Sequence, residues 1–218
     1  MALLVLWDID GTLLQAGDPL HRKAFDLALA EVCGVAATLD GVALAGRLDR
    51  EIARAALRDH DVDIERLLAP LLVAVGERFA ELLGDASRLD AVLPGVPEAL
   101  ASIDAHHSVL TGNTRAVARR RLEAASIAHL LHDGAYGDEA DSRAELVPMA
   151  RMRSRPHHEV VIVGDTPRDV AAARANGCRC VAVATGHYDV NALRDAGATL
   201  VLPDLSDLDA TIGAVIGS

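Results

Sequence analysis

Residues 3–12 read LLVLWDIDGT, an apolar run that ends at two aspartates and a Gly-Thr turn. Continuous hydrophobic residues favour a central strand of a parallel sheet, and ligands bind beyond the carboxyl ends of such strands. Asp8 and Asp10 would repel each other there and lose hydration, so we expect a divalent cation or a shifted pKa at this edge. Asp-Gly is also an ordinary turn signal, and either aspartate could instead bond to nearby backbone groups.

A second apolar strand ends in small polar residues at 108–114, which read SVLTGNT. A helix is predicted to follow over 115–125. The Thr111 hydroxyl and the backbone N–H groups of Gly112 and Asn113 would then lie at a helix N-terminus, where phosphate binds well. Plain N-capping of that helix by Thr111, Asn113 or Thr114 is the alternative.

A third strand ends in the same way at 160–169, which read VVIVGDTPRD. Asp165 repeats the placement of Asp8 at the tip of a strand. If Pro167 opens the next helix, as proline often does, Asp169 falls in the first helical turn. Asp169 could therefore serve only as a helix cap or as a partner of the helix dipole.

The spacing of apolar residues divides the chain into a strand–helix repeat with one insertion. Strands are predicted at 3–7, 108–110, 160–163, 180–184 and 199–202. Such a repeat favours an α/β fold, a doubly wound parallel sheet with a Rossmann-like core. Between the first two strands the pattern is helical, at 21–33, 50–60 and 64–83. We therefore expect an α/β core from 1–14 and 93–218 and an inserted all-helical cap from 15–92, which would act as a lid.

The composition favours a cytoplasmic enzyme over a nucleic-acid or membrane protein. The formal net charge of −11 opposes binding to a phosphate backbone, which needs a basic surface. The longest apolar run, 67–75, is too short to span a bilayer, and Asp8 interrupts any leader-like stretch at the start. Three cysteines give no disulfide or metal framework, which favours the reducing cytoplasm. We expect a small-molecule partner and a monomer or weak homodimer.

The three motifs, in this order, resemble those of the haloacid dehalogenase superfamily, in the branch that contains phosphoglycolate phosphatases and β-phosphoglucomutases with a helical cap. The matching segments are 8–12, DIDGT; 111–114, TGNT; and 164–169, GDTPRD. The resemblance spans nearly the whole chain. It implies a Mg²⁺-dependent phosphatase that hydrolyses a small phosphorylated metabolite, and a helical cap at the position of the insertion.

The chemistry of phosphoryl transfer gives the acidic residues their expected roles. Asp8 would attack phosphorus and form an aspartyl-phosphate, and Mg²⁺ held by Asp8, Asp165 and the backbone carbonyl of Asp10 would clamp the nucleophile to the phosphate. The metal is inferred from hard oxygen ligands and from the family, and Mn²⁺ would also fit. Asp169 would either anchor the site from outside or reach the metal itself. Asp10 would donate a proton to the leaving alkoxide and later accept one from water; its closeness to Asp8 should favour the protonated form, whereas Mg²⁺ opposes it.

One basic residue departs from the family pattern, in which a lysine bridges nucleophile and phosphate. No lysine follows Lys23, and Arg143, which precedes Asp165 by 22 positions, is the candidate replacement. Arg143 carries the charge and can grip phosphate with two N–H groups. An exposed surface position for Arg143 is the alternative. Three later arginines lie too near the next strand: Arg151, Arg153 and Arg155.

Arg47 lies in 45–49, AGRLD, a segment that resembles the family's substrate-specificity loop between cap helices. A solvated surface arginine is the alternative for Arg47.

Among the family's reactions, dehalogenation and phosphonate cleavage are disfavoured because Asp10 would have no role. Phosphatase and sugar-phosphate mutase remain, and 11–15, GTLLQ, favours the phosphatase. A non-catalytic binding module on the same scaffold is a further alternative, which the intact set of polar site residues opposes.

Overall fold

The computed structural model describes residues 3–34, 37–154 and 156–217. Its strands are β1 Leu3–Trp7, β2 His106–Leu110, β3 His132–Ala135, β4 Glu159–Gly164, β5 Arg179–Val183 and β6 Leu200–Leu202. They form one parallel sheet in the order β3-β2-β1-β4-β5-β6. The sequence pattern does not predict β3, whose residues HDGA contain no apolar run.

The first strand, β1, lies inside the sheet because all five of its residues are apolar and buried. It pairs with β2 on one side and with β4 on the other, so that Trp7 stands opposite Val109 and Val163. The carboxyl ends of these three strands meet at one edge of the sheet. The motifs that follow the strands are therefore neighbours in space.

Helices cover both faces of the sheet: α4 Val96–Ser102, α5 Arg115–Ala124, α6 Arg143–Arg153, α7 Pro167–Ala175, α8 Val190–Asp195 and α9 Leu208–Ile216. Successive residues of β1 point to opposite faces. Val5 and Trp7 join a hydrophobic cluster with α4, α5 and α9, whereas Leu4 and Leu6 join another with α6 and α7. The prediction of a doubly wound, Rossmann-like α/β core is confirmed.

The segment between β1 and α4 is mainly helical. It contains the α-helices α1 Pro19–Ala28, α2 Asp49–Leu57 and α3 Ile64–Leu83. A π-helical turn, Leu29–Cys33, continues α1. The three helices share a hydrophobic cluster of their own, to which α5 contributes Val117. No helix in the described part of the chain is long and apolar enough to cross a membrane.

The two chain crossings between the sheet and this helical segment lie side by side. Gln15 N donates to Ala91 O over 2.8 Å, and Leu93 N donates to Leu13 O over 3.1 Å. The backbone therefore leaves the sheet region and returns to it at one place.

Candidate active site

The loops after β1, β2 and β4 bring the three motifs together. Asp8 directly follows β1, and its backbone N–H donates to Val163 O over 2.9 Å. Gly11, in the turn that follows, has a φ of +72°, and a Cβ there would lie 2.3 Å from Asp165 Oδ2. Only glycine tolerates both this left-handed backbone and this close approach. The DIDGT turn is thus packed directly against the carboxylate of the third motif.

Three carboxylates form a buried group at this edge: Asp8, Asp165 and Asp169. One oxygen of each lies within 4.8 Å of the others, and the residues are 2%, 2% and 0% exposed. Asp169 also closes a capping box at the start of α7, because its Oδ2 accepts from Thr166 N at 3.1 Å. Asp169 is therefore a helix cap and a member of the acidic group at the same time.

Burial of Asp8 and Asp165 is not offset by enough hydrogen bonds and positive charge to keep both carboxylates ionised. Burial raises the pKa of Asp8 to about 7 and that of Asp165 to about 9, because each charged form loses hydration. Asp8 Oδ1 and Asp165 Oδ1 have no hydrogen-bond partner among the described residues. Carboxylate oxygens without hydrogen-bond partners are suitable ligands for a divalent cation such as Mg²⁺. The cation would favour the charged form of both aspartates. Asp10, for which only a backbone ligand was expected, contributes no side-chain oxygen to this group.

Arg143 is the cation that faces this group. It begins α6, is 5% exposed, and places Nη1 3.2 Å from Asp8 Oδ2 and in a shorter contact with Asp169 Oδ1. Burial alone would lower the pKa of Arg143, but the neighbouring carboxylates raise it, so the guanidinium stays charged. The alternative of an exposed position is wrong for Arg143. The later arginines do not share its place: Arg151 and Arg153 are exposed on α6, and Arg155 falls outside the described residues.

The loop between β2 and α5 carries the predicted phosphate-binding groups. Thr114, rather than Thr111, caps α5, since Thr114 Oγ1 accepts from Val117 N at 3.3 Å. The Thr111 side chain is buried and accepts from Asn113 N at 3.3 Å. Gly112 and Asn113 line the cavity described below. The Thr111 hydroxyl is therefore not used as the helix cap.

Asp10 is held by a buried arginine that the sequence motifs do not include. Arg121 Nη1 donates to Asp10 Oδ1 at 2.7 Å and to Asn113 Oδ1 at 2.8 Å. Asn113 Nδ2 donates to Asp10 Oδ2 at 2.8 Å. Burial alone would raise the pKa of Asp10, but the charge of Arg121 and these hydrogen bonds lower it. The expectation that the nearby Asp8 favours protonated Asp10 is therefore wrong for the free site.

The position of Arg121 around the axis of α5 could have identified it from the sequence. Residues 119–121 are all arginine, and only Arg121 falls on the face that also buries Val117, Ala118 and Leu122. Arg121 is 4% exposed for this reason. Spacing of three and four residues from the apolar positions would have singled it out.

A cavity of about 270 Å³ opens between the sheet edge and the helical segment. Asp8, Asp10 and Arg143 line it from the sheet side. Arg47, predicted to face the substrate, lines it from the loop before α2. A Cβ at Gly112 would lie 2.1 Å from Arg47 O, so this loop is packed directly on the loop between β2 and α5.

Asp49, the first residue of α2 and the last of the segment 45–49, is a second site residue whose contacts the sequence motifs do not predict. It is 1% exposed; its backbone N–H donates to Gly112 O at 2.7 Å, and its Oδ2 accepts from Thr114 N at 2.7 Å. His21 Nε2 lies 3.2 Å from the same oxygen. Burial would lower the pKa of His21, but the charge and hydrogen bond of Asp49 raise it. Asp49 thus links α1 and α2 to the loop between β2 and α5.

Comparison with known proteins assigns this arrangement to a family. A model of haloacid dehalogenase-like hydrolases matches residues 3–177. The chain belongs to this family. The resemblance carried by the three motifs is confirmed, and so is the prediction of a hydrolase.

Curated relatives of this haloacid dehalogenase-like hydrolase are phosphatases. The phosphoglycolate phosphatase of Pseudomonas fluorescens is 26% identical over 225 residues, which cover 94% of this chain and 78% of that protein. Phosphoglycolate phosphatase 1 of Pseudomonas aeruginosa is 27% identical over 217 residues, again 94% of this chain and 78% of the relative. These similarities confirm the prediction of an enzyme of the phosphatase type.

Solved structures share the fold. A mutant of CbbY from Rhodobacter sphaeroides in complex with xylulose-(1,5)-bisphosphate superposes with a TM-score of 0.75 at 23% identity, covering 97% of this chain and 99% of that one. A putative β-phosphoglucomutase from Bacteroides vulgatus has a TM-score of 0.67 at 20% identity, with 99% and 89% covered. At these identities the likeness concerns the fold alone.

Proposed function

We propose that the chain is a Mg²⁺-dependent phosphatase that hydrolyses a small phosphomonoester through an aspartyl-phosphate on Asp8. The observation that supports this most is the surroundings of Asp8. It is a buried carboxylate on the wall of a cavity, beside two further carboxylates, one arginine and the phosphate loop. This set provides a nucleophile, hard oxygen ligands and phosphate-binding groups at one place.

Asp8, Asp165 and the backbone carbonyl of Asp10 would hold the metal ion. When bound, Mg²⁺ supplies the positive charge that offsets repulsion between the attacking carboxylate and the phosphate. Mn²⁺ would suit the same oxygens. Asp169 already accepts hydrogen bonds at the start of α7 and pairs with Arg143, which supports an anchoring role outside the direct ligands.

In the first half-reaction, an oxygen of Asp8 attacks phosphorus and the bond to the leaving alkoxide breaks. Arg143, beside Asp8 Oδ2, orients the nucleophile and adds positive charge next to the phosphoryl group. The Thr111 hydroxyl and the backbone N–H group of Gly112 would hold the phosphoryl oxygens, and the N–H of Asn113 would exchange its 3.3 Å contact with Thr111 Oγ1 for one of them.

Asp10 moves the proton in each half-reaction. Arg121 keeps Asp10 charged in the free site, which suits the second step, in which Asp10 takes a proton from the water that attacks the aspartyl-phosphate. An arriving phosphate raises the pKa of Asp10 through like-charge repulsion. That shift suits the first step, in which protonated Asp10 donates to the leaving alkoxide.

We also propose the division into a core, 1–14 and 93–218, and a cap, 15–92. Two observations support it: α1, α2 and α3 have a hydrophobic cluster of their own, and the two chain crossings are hydrogen-bonded to each other. Arg47 lines the cavity from this segment, which supports a role in substrate selection.

The partner that we propose is a small phosphorylated metabolite rather than a nucleic acid, since the net charge of −11 opposes the latter. The three cysteines are free thiols, which supports a cytoplasmic location. The monomer or weak homodimer stays a prediction.

Substitution of the nucleophile tests the proposal. Asp8→Asn should abolish Mg²⁺-dependent hydrolysis of p-nitrophenyl phosphate, because an amide neither attacks phosphorus nor binds Mg²⁺ well. Asp10→Asn should abolish turnover as well. Asp59→Asn, at an exposed position, is the matched control and should keep wild-type activity. Rapid acid quenching of the wild-type enzyme with isotope-labelled substrate should trap phosphate on Asp8.

Three results would contradict the proposal in different ways. Steady activity of Asp8→Asn would refute the aspartyl-phosphate. Transfer of the phosphoryl group to a sugar hydroxyl instead of water would identify the mutase. A wild-type protein that transfers no phosphoryl group with or without Mg²⁺ would be a binding module.

A further inference from the structure

A proline interrupts the backbone hydrogen bonding of α6 in its second turn. Pro148 lies inside the helix, and proline has no backbone N–H. In a regular α-helix the N–H of residue 148 would donate to the carbonyl of residue 144. Ala144 O, one residue after Arg143, therefore lacks its usual donor. The turn of α6 that misses this bond is the turn from which Arg143 reaches Asp8.

The side chain of Asn176 replaces the missing donor. Its Nδ2 donates to Ala144 O over 2.9 Å and to Ala172 O over 2.9 Å. Both partners are carbonyl oxygens, so the NH₂ group of the amide must face them. The backbone N–H of Asn176, at the end of α7, donates to Ala173 O over 3.1 Å and leaves Ala172 O to the side chain. One amide group thus serves a carbonyl in each of two helices.

The two helices that this amide joins carry the charged partners of the proposed active site. Arg143 begins α6, and Asp169 lies in the first turn of α7. Their side chains form a buried ion pair, and Arg143 Nη1 also lies 3.2 Å from Asp8 Oδ2. The ion pair attaches α6 to the beginning of α7, and Asn176 attaches it to the end of α7. A shift of α6 along α7 would break one of these attachments.

Apolar packing between α6 and α7 does not fix their relative position as closely. The two helices contribute four buried residues to one hydrophobic cluster: Leu146, Val147, Val170 and Ala173. Hydrophobic contact has no preferred direction, whereas a hydrogen bond weakens steeply when its angle or length changes. The bond from Asn176 therefore restricts the first turn of α6 more closely than the packing does.

We propose that Asn176 is a positioning residue for the phosphatase reaction: by holding the first turn of α6, it keeps the Arg143 guanidinium beside Asp8. The inference rests on the proposed function of Asp8 and Arg143. Asn176 lies outside the described lining of the cavity, so it acts through Arg143. A displacement of about 1 Å in an active site can cost about 10²-fold in rate. Loss of the bond to Ala144 O should therefore lower kcat/KM by about tenfold.

Two substitutions of Asn176 test this role. Asn176→Ala removes both hydrogen bonds. Asn176→Ser can keep the bond within α7, because a serine hydroxyl reaches the carbonyl four residues back, but it is one bond shorter than the amide and loses Ala144 O. Both variants should lower kcat/KM for p-nitrophenyl phosphate at saturating Mg²⁺ by about tenfold. Asn191→Ala, at an exposed position in α8, is the matched control and should keep wild-type activity.

Pro148→Ala supplies the missing donor from the backbone of α6 itself. In the wild-type background it should change kcat/KM little, because Asn176 already serves Ala144 O. Combined with Asn176→Ala, it should restore most of the lost activity. Absence of any recovery would show that the bond to Ala144 O is not the one that matters, and would overturn the proposal.

A double-mutant cycle with Arg143 separates positioning from stability. If Asn176 acts through Arg143, Asn176→Ala should lower kcat/KM about tenfold in the wild-type background and less than about twofold in the Arg143→Ala background. Loss of folded protein would lower the activity by the same factor in both backgrounds. Equal factors would therefore overturn the proposal.

The wild-type protein separates this proposal from the proposed function. A wild-type protein that transfers no phosphoryl group, with or without Mg²⁺, refutes the phosphatase and the positioning role with it. An active wild-type protein whose folded Asn176→Ala variant is equally active overturns the positioning role alone. If Asn176→Ala does not fold, Asn176→Ser and the double variant with Pro148→Ala decide in its place.

Discussion

Arg143→Ala removes the cation that faces the proposed nucleophile, and its cost can be worked out from the contacts of Arg143. The residue is 5% exposed, and its Nη1 lies 3.2 Å from Asp8 Oδ2 and closer still to Asp169 Oδ1. Leaving one side of a buried ion pair uncompensated costs about 3–5 kcal/mol. For the reaction, loss of a charge-assisted contact to a buried anion is worth about 2–5 kcal/mol, which lowers kcat/KM by some tens- to thousands-fold.

Two further variants separate charge from geometry in this experiment. Arg143→Lys keeps the charge but loses the planar fork, so it should recover part of the activity. Arg151→Ala removes an exposed arginine from the same helix and should change kcat/KM little. The assay is steady-state hydrolysis of p-nitrophenyl phosphate at saturating Mg²⁺, with thermal unfolding to show that each variant is folded. If folded Arg143→Ala stays within a fewfold of wild type, another arginine holds the phosphate and the assignment is wrong.

The remaining predictions concern Asp10, the metal and the cap. Arg121→Gln removes the charge that lowers the pKa of Asp10, so the acidic limb of the kcat–pH profile should move to higher pH; an unmoved limb would mean that Asp10 does not control it. The pKa values of Asp8, about 7, and Asp165, about 9, exceed the ordinary 3.8, so the metal-free fold retains protons that the unfolded chain loses. The stability of the metal-free fold should therefore fall as the pH rises from the ordinary pKa of 3.8 through these two raised values. Mg²⁺ binds the charged carboxylates and should therefore raise Tm more at about pH 8 than at about pH 5, whereas an equal rise would contradict the metal site. Arg47→Ala should weaken substrates that carry a second polar group and spare p-nitrophenyl phosphate; equal losses on both would point to an effect on folding.

Much of the site follows from the places where apolar runs end. Asp8, Thr111 and Asp165 each come directly after a buried strand, and neighbouring parallel strands present their carboxyl ends at one edge. Asp169 follows from the proline that opens α7. Local patterns are sufficient for these residues because each one is placed by its own strand or helix. Arg143 depends on the family resemblance as well, because it lies near the position of the family's lysine.

Other features depend on contacts between distant segments, which local periodicity does not encode. Arg121 lowers the pKa of Asp10 across a separation of 111 residues. Asp49 ends the segment 45–49 that the resemblance marks, but its contact with Thr114, 65 residues away, has no local sequence signal. The short strand β3 was missed for a related reason, since it forms by pairing with β2 rather than through an apolar run of its own.

Gln15 and Ala91 are hydrogen-bonded neighbours at the two ends of the helical segment. A chain that departs and rejoins at one point can carry insertions of very different length, because each doubling of a loop adds only about 0.6 kcal/mol of closure entropy. Exchanging one insertion for another would leave the pairing of the strands unchanged, together with the positions of the carboxylates that follow β1 and β4. Under the proposed division, evolution can therefore alter the segment proposed to select the substrate and retain the proposed phosphate site, which would give one reaction centre access to many metabolites.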